Sequence, residues 1–338
     1  SAVPAPDAAC AYVEGCSVLV GVLSIAGARA IALSMLSRMQ DICTGAAADD
    51  PVLTMWQHMG ELHAHRLLNG APALACLAGR RALVAAERTK NQRWIQTAQT
   101  NTAICEMELG LARGEASLQA LMPALSRVSG AKALARVFAW WVQLASLQPD
   151  RAEELEARVE EAHARAEKTR SSPLTGLAQL AWSRLHRWKG RLEDAVAAAE
   201  RAVHLLQEFP PLQLGAYAQL IDTQRLAGRL PDAWRSCEEA QGKLRALDGR
   251  GWMDLALRLA VVEVAFALAR TDEGGAVLRD ALTLLRTRTQ EIPDAELRAA
   301  YLRSSPVMAQ LLTLGRAHGM DAMTAWDPWA DPPPQTPA

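Results

Sequence analysis

The sequence contains 338 residues, of which 36 are basic and 37 acidic, so its formal net charge is −1. This balance excludes the overall basic field that attracts nucleic acids or anionic lipids. The composition is 50% hydrophobic and rich in Ala and Leu, whereas Phe and Tyr number only three each. Because Ala and Leu are strong helix formers and β-branched residues form no long alternating run, we predict an all-α protein.

The six cysteines and the most apolar segment both bear on localisation. The cysteines are scattered without a CxxC pair, which favours buried thiols in a reducing compartment over a disulfide framework. The apolar segment 18–32 is interrupted by Gly21, Gly27 and Arg29, so it falls short of the roughly 20 apolar residues that span a membrane. No positively charged region precedes it, as a secretory signal would require. We therefore expect a cytoplasmic protein that does not associate with membranes.

The first clear repeat signal lies near residue 70. Gly70 is followed by Ala75 five positions later and by Ala82 seven positions after that. Glycine commonly ends a helix because it tolerates the left-handed C-cap conformation, and a second helix then begins within a few residues. Two alanines seven positions apart share a helix face, where small side chains let a partner helix approach closely. Gly27 and Ala32 give a weaker, earlier copy of this pattern.

The centre of the chain is less regular. Pro123 falls within the third unit, so the helix there is expected to start late or to bend. Ala157 and Ala164 lie 38 positions before Ala195 and Ala202, and they predict the second helix of the fourth unit.

Two later units repeat the spacing most closely. The segment Gly190-Arg-Leu-Glu-Asp-Ala195 recurs 38 positions later as Gly228-Arg-Leu-Pro-Asp-Ala233. In each copy another alanine, Ala202 or Ala240, lies seven positions after the final one. A repeat of this period is typical of a stack of similar helical units.

These signals predict a single domain, 1–318, built as an α-solenoid of about seven antiparallel helix pairs with a C-terminal capping helix. The pairs are predicted at about 7–45, 50–89, 91–128, 131–170, 173–209, 211–247 and 252–290. The capping helix is predicted at 294–318 with Asp294 as its N-cap, and Pro306 should kink or break it. We predict that the proline-rich remainder, 319–338, is a flexible tail.

The Gly-Ala-Ala spacing resembles that of the tetratricopeptide repeat. In that family the glycine lies in the turn after the first helix of a pair, and both alanines lie on the second helix. The present units have a longer period, about 38 residues against roughly 34 in the family. They also depart at the small residue expected midway along the first helix, which Ser183 provides but Ile221 and His63 do not. The resemblance implies a superhelix whose concave surface is lined by the first helices.

Counting back six and three positions from the turn glycines selects candidate residues of that surface. The count gives Arg184 and Arg187 before Gly190, and it gives Asp222 and Arg225 before Gly228. Adjacent helical residues diverge by roughly 100°, so Trp140 and Trp141 should not both face inward, and aromatic residues often anchor bound peptides. The predicted partner-binding residues are Arg184, Arg187, Asp222, Arg225, Trp141 and Trp188. Their mixed charge suits a protein or peptide partner.

The sequence contains no recognisable catalytic motif, because both the P-loop and the Gly-x-Ser-x-Gly elbow are missing. The best metal candidates are His58, Glu61 and His65, which share a helix face but lack the His-Glu-x-x-His arrangement. We therefore predict a non-enzymatic chain without a metal or other cofactor, and a metal-dependent enzyme that uses these three residues stays an alternative.

A second resemblance concerns the whole array. Its divergent repeats and the segment 292–303 are similar to the C-terminal helical-repeat region of large bacterial signalling regulators, in which an ATPase or kinase module precedes a repeat sensor. This similarity implies a protein- or peptide-binding module that acts as the sensory or scaffolding region of such a regulator. A small-ligand sensor is the alternative, and homo-oligomers through the repeat faces remain open.

Overall fold

The computed structural model describes residues 6–44, 49–128, 131–303 and 305–320, and every regular element among them is helical. Seven consecutive helix pairs are followed by two shorter helices, α15 (Ala295–Arg303) and α16 (Pro306–Ala317). The pairs are α1 (Pro6–Ala26) with α2 (Arg29–Cys43), α3 (Pro51–His63) with α4 (Pro72–Thr89), α5 (Gln92–Glu108) with α6 (Ala112–Val128), α7 (Ala131–Ala145) with α8 (Ala152–Lys168), α9 (Ser172–Trp188) with α10 (Leu192–Leu205), α11 (Pro210–Leu226) with α12 (Leu230–Ala246), and α13 (Asp254–Ala267) with α14 (Thr271–Gln290). The predicted all-α solenoid is confirmed. The predicted tail lies, from residue 321 onward, outside the described residues.

Glycines make the turns within five of the seven pairs, for two different reasons. Gly190 has a φ of +72°, which a residue with a Cβ adopts only at a cost, although the space around it is open. Gly70 also has a positive φ, +57°, and a Cβ there would collide with the carbonyl oxygen of Gly251. On the helix after Gly190, Ala195 and Ala202 are fully buried, as close packing of paired helices requires.

The fourth pair has a different register from the one that its alanines predict. Ala157 and Ala164 lie on the exposed face of α8, whereas Leu155 and Ala162 are fully buried. The seven-residue spacing is kept but begins two positions earlier. A 3₁₀ turn at Pro149–Arg151 precedes α8, so the sequence period alone does not fix its register.

Two prolines behave differently. Pro123 lies inside α6, which already begins at Ala112, so that helix does not start late. Pro306 is instead the first residue of α16, and the single capping helix predicted at 294–318 is therefore two helices. Proline favours the first turn because its missing N–H has no helical partner there in any case.

The superhelix winds tightly enough for distant pairs to touch. Helix α1 packs against α11, and α4 packs against α15. Arg288 on α14 donates a hydrogen bond to the carbonyl oxygen of Asn69, which follows α3. Arg113 Nη1 and Glu296 Oε1 are 2.8 Å apart and join α6 to α15. The array thus closes on itself.

Helix α1 is apolar along most of its length. The segment Ala8–Ala26 is long and apolar enough to cross a membrane by length and composition alone, although 33% of it is buried in the fold. Its inner face, which includes Val13 and Val20, packs in the core against α3. Its outer face carries an uncharged, exposed stripe, which we call the α1 stripe: Ala8, Ala11, Tyr12, Gly15, Val18, Leu19, Val22 and Ala26.

Candidate functional site

A cavity of about 720 Å³ lies on the inner side of the superhelix. Its walls come from α9, α11 and α13, from the ends of α5 and α7, from the start of α16, and from Arg66 in the π-helical turn Ala64–Leu68 that extends α3. The volume lies within the range of roughly 300–1,000 Å³ that is typical of ligand sites. It therefore fits a small molecule or a short peptide segment rather than a folded partner.

Five of the six predicted binding residues lie together in the wall of this cavity. They are Arg184, Arg187, Asp222, Arg225 and Trp188. The count from the turn glycines therefore selects neighbours in space, because α9 and α11 present the same face to the cavity.

Three of them, Arg187, Asp222 and Arg225, form a row of ion pairs with Glu263 across the first helices of three pairs. Arg187 pairs with Asp222, whose Oδ1 lies 2.7 Å from Arg225 Nη2. The same Arg225 nitrogen is 3.1 Å from Glu263 Oε2 on α13, and Gln310 on α16 donates to that carboxylate. Burial raises the pKa of Glu263, while the Arg225 cation opposes this shift. We name Arg187, Asp222, Arg225 and Glu263 the charge ladder; it links α9, α11 and α13.

Trp141 was predicted to bind the partner, but it does not line the cavity. Trp140 and Trp141 are both buried, each only 7% exposed. Trp141 packs edge-on against Phe138 and donates from Nε1 to Glu115 Oε1 at 3.0 Å. Both rings can be buried because α7 contacts α5, α6, α8 and α9, so side chains that diverge by roughly 100° still meet protein.

Trp188 remains partly open and lies at the cavity. It is 36% exposed, and its Nε1 donates to the Ser146 carbonyl oxygen at 3.4 Å. The guanidinium of Arg187 lies 4.1 Å from the centre of the indole ring, in cation–π contact. Trp188 thus offers an apolar ring beside the charge ladder.

Glu263 belongs to the cavity but was not selected from the sequence. It lies six positions before Ala269, as Asp222 does before Gly228. Ala269 occupies the same left-handed turn, with a φ of +57°, without being glycine. A search for the turn position rather than for glycine would have found Glu263.

A second polar cluster is more deeply buried than the charge ladder. Its residues meet only because the superhelix closes on itself. Arg66 Nε donates to Glu108 Oε1 at 2.8 Å, and Trp252 Nε1 donates to the same oxygen at 3.0 Å. The Arg66 guanidinium stacks 3.7 Å from the centre of the Trp140 ring. These four residues come from four different pairs, so no local pattern in the sequence reveals them.

The histidine-rich helix α3 holds an ion pair rather than a group of converging metal ligands. His58 Nδ1 lies 2.7 Å from Glu61 Oε2, and His65 Nδ1 faces the side-chain amide of Asn69 at 3.4 Å. Burial disfavours the ionised Glu61, but hydrogen bonds from His58, Gln57 and Gln40 and the charge of His58 outweigh it and lower its pKa to about 2. In the part of the chain that the structure describes, no group of three or more His, Cys, Asp or Glu side chains could hold a metal ion.

Comparison with known proteins identifies the fold. Neither a family model nor a curated protein matches the sequence. A Rap protein complexed with Competence and Sporulation Factor has a TM-score of 0.57 at 10% identity, covering 92% of this chain and 89% of that one. A signal transduction ATPase with numerous domains from Pyrococcus horikoshii, which has a tetratricopeptide repeat sensor, has a TM-score of 0.54 at 10% identity. That alignment covers 89% of this chain but only 47% of the ATPase. The chain therefore has a tetratricopeptide-like helical-repeat fold.

Proposed function

We propose that this chain is a non-enzymatic, cytoplasmic binding module that holds a peptide or a short protein segment in its inner cavity. The observation that carries this proposal is the convergence of Arg184, the charge ladder and Trp188 on one cavity of about 720 Å³. Peptide-binding sites typically combine two features. Polar groups fix the orientation of the peptide, and an aromatic ring beside them supplies apolar area.

The structural likenesses support a role in bacterial signalling. One similar structure is a Rap protein complexed with Competence and Sporulation Factor, and the other contains a tetratricopeptide repeat sensor. The chain spans about half of the second protein. We infer that it acts as the sensory or scaffolding region of a larger regulator. Binding of a ligand in the cavity would then change the surface that the repeats offer to neighbouring domains.

The test is to fill the cavity and measure peptide binding. A displayed library of random heptapeptides is selected against the wild-type chain, and recovered peptides are measured by fluorescence anisotropy. Ala218 lines the cavity and is buried, so Ala218→Trp should occupy part of the cavity and weaken binding by about tenfold or more, a loss of about 1.4 kcal/mol.

The matched control is Val84→Trp, because Val84 is 61% exposed on α4 and does not line the cavity. It should leave the affinity unchanged. Peptides that bind equally well to the Ala218→Trp variant would place the binding surface elsewhere and overturn the proposal.

A small-ligand sensor is the second candidate, because the cavity volume also suits a metabolite. A thermal-shift screen of metabolites separates the two functions, since a ligand of the folded state raises the melting temperature by mass action. A metabolite that stabilises the wild type but not Ala218→Trp would favour the sensor over the peptide-binding module.

A further inference from the structure

Arg184 differs from the other arginines that line the cavity. Each of the other four lies within ion-pair distance of a carboxylate: Arg66 of Glu108, Arg187 of Asp222, Arg225 of Asp222 and Glu263, and Arg288 of Asp254. Among the described residues, no carboxylate pairs with Arg184. Its side chain is nevertheless buried, with only 3% exposed. A buried charge without a counter-charge is costly, so its presence in a cavity wall needs an explanation.

The hydrogen-bond partners of Arg184 are all neutral. Its Nη1 donates to the Gln143 carbonyl oxygen at 2.8 Å and to Ser146 Oγ at 3.4 Å. Its Nε donates to Gln219 Oε1 at 3.3 Å. Within the described part of the chain, Nη2 makes no hydrogen bond, and Arg184 is part of the cavity wall. The guanidinium is thus held in place by three neutral acceptors and retains one nitrogen for a ligand.

Gln143, whose backbone carbonyl accepts from Arg184, has a side-chain amide that is also unpaired. The residue is fully buried, and neither Nε2 nor Oε1 has a hydrogen-bond partner in the described structure. Buried polar groups are nearly always paired in folded proteins. Gln143 does not line the cavity, so the unpaired Nη2 of Arg184 is the group that a ligand can complete.

The guanidinium remains a cation at neutral pH. Burial, together with the nearby Arg187 charge, lowers the pKa of Arg184 to about 9, which is still well above 7. Arg184 and the charge ladder together comprise three arginines and two carboxylates. This excess of one positive charge is local, because the whole cavity wall holds five arginines and five carboxylates. A single carboxylate at Arg184 neutralises it, and a phosphate dianion would overcompensate.

We propose that Arg184 is the receptor for a carboxylate of the bound peptide, and that the cavity selects an acidic residue or a C-terminal carboxylate at this position. This inference rests on the proposed function, because it specifies the chemistry of a ligand of the same cavity. The carboxylate accepts a hydrogen bond from Arg184 Nη2, while Trp188, one helical turn away, contacts apolar parts of the peptide. Charge-assisted hydrogen bonds of this kind are roughly twice as strong as neutral ones.

The experiment is a double-mutant cycle between protein and peptide. Peptides recovered from the heptapeptide library are synthesised with each acidic side chain replaced by its amide, and separately with an amidated C-terminus, which distinguishes the two sources of carboxylate. Affinities are measured for the wild type, Arg184→Met and the control Arg235→Met, whose side chain is 70% exposed on α12. We expect one of the two peptide changes to weaken binding to the wild type by about tenfold or more.

In Arg184→Met the same peptide change should have little further effect, whereas Arg235→Met should behave as the wild type. The peptide arm uses the unaltered protein, so it remains informative if Arg184→Met folds poorly. If neither neutralisation weakens binding while Ala218→Trp still weakens it, the peptide-binding function stands and the carboxylate receptor is wrong. If the peptide carboxylate contributes equally with Arg184 and with Met at this position, another group binds it and the inference is also overturned.

Discussion

Arg288 donates hydrogen bonds to both carboxylate oxygens of Asp254, from Nη1 to Oδ1 at 2.7 Å and from Nη2 to Oδ2 at 2.6 Å. Both side chains are almost completely buried, with 4% and 1% exposed. The same guanidinium donates to the carbonyl oxygen of Asn69, in the second helix pair. Arg288 therefore joins the two helices of the seventh pair through Asp254, and it links that pair to the second through Asn69.

Asp254→Ala should lower the free energy of unfolding by about 3–5 kcal/mol, because it leaves the buried Arg288 guanidinium without its counter-charge. Urea denaturation followed by circular dichroism measures this loss. Glu296→Ala is the control, since its partners Arg80 and Arg113 are partly exposed, and it should cost about 1 kcal/mol or less. Similar losses in the two variants would show that the Arg288–Asp254 pair is not a main support of closure.

Gly70→Ala and Gly190→Ala should differ in their effects. Both glycines have a positive φ, so each substitution costs about 1 kcal/mol for the backbone conformation. At Gly70 the added Cβ also collides with the Gly251 carbonyl oxygen, whereas at Gly190 nothing lies within 4 Å. Thermal unfolding should therefore show the larger loss for Gly70→Ala. Equal losses would mean that the Gly70–Gly251 contact relaxes without cost.

The free energy of unfolding should depend on pH below about 4.5 through the ionisation of Glu61. Its pKa is lowered from 4.5 to about 2 in the folded state, so the ionised form stabilises the fold above pH 4.5. This contribution is lost as the pH falls from 4.5 to about 2, and it amounts to about 3 kcal/mol at 1.36 kcal/mol per pH unit. Urea unfolding of the wild type and of Glu61→Gln across this range measures it.

The difference in unfolding free energy between the wild type and Glu61→Gln should shrink as the pH falls. His58→Gln removes the main partner of Glu61, so it should reduce the same pH dependence. A constant difference across the range would contradict the assigned role of the His58–Glu61 pair.

The α1 stripe should mediate self-association. It is free of charge from Ala8 to Ala26, and exposed apolar patches of this kind commonly mark interaction sites. We expect a second copy to pack its own α1 against it about a two-fold axis, because one apolar stripe can be self-complementary. Light scattering should then show that Val22→Glu shifts the mass from dimer to monomer.

Val84→Glu, at an exposed valine of α4, serves as the control for this change and should leave the mass unaltered. A wild-type chain that remains monomeric at all concentrations would exclude a second copy as the partner of the stripe.

The fold class could be predicted because its signals are local. Gly190 marks its turn by backbone conformation, and Ala195 and Ala202 mark a buried face by spacing. Both signals act within one helix pair, so the sequence alone reveals them. The register of α8 could not be predicted in the same way, because a short 3₁₀ turn shifts it without changing the seven-residue spacing.

The candidate site was only partly predictable. Counting from the turn glycines placed Arg184 and Asp222 in one cavity wall, since the two pairs repeat the same local geometry. It could not show that Arg184 is buried without a carboxylate while Arg187 has one, because that depends on packing between pairs. Trp141 was misplaced for the same reason, as contacts from several helices decide which rings are buried.

The contact between the second and seventh helix pairs has a consequence for how the chain folds. In an open solenoid each repeat touches only its neighbours, so the ends can fray independently. Here Arg288 and Asn69, 219 positions apart, are hydrogen-bonded, and distant segments must be brought together before this contact forms. Loss of the last pair therefore also weakens the second. The array should unfold in one cooperative transition rather than by stepwise melting from its ends.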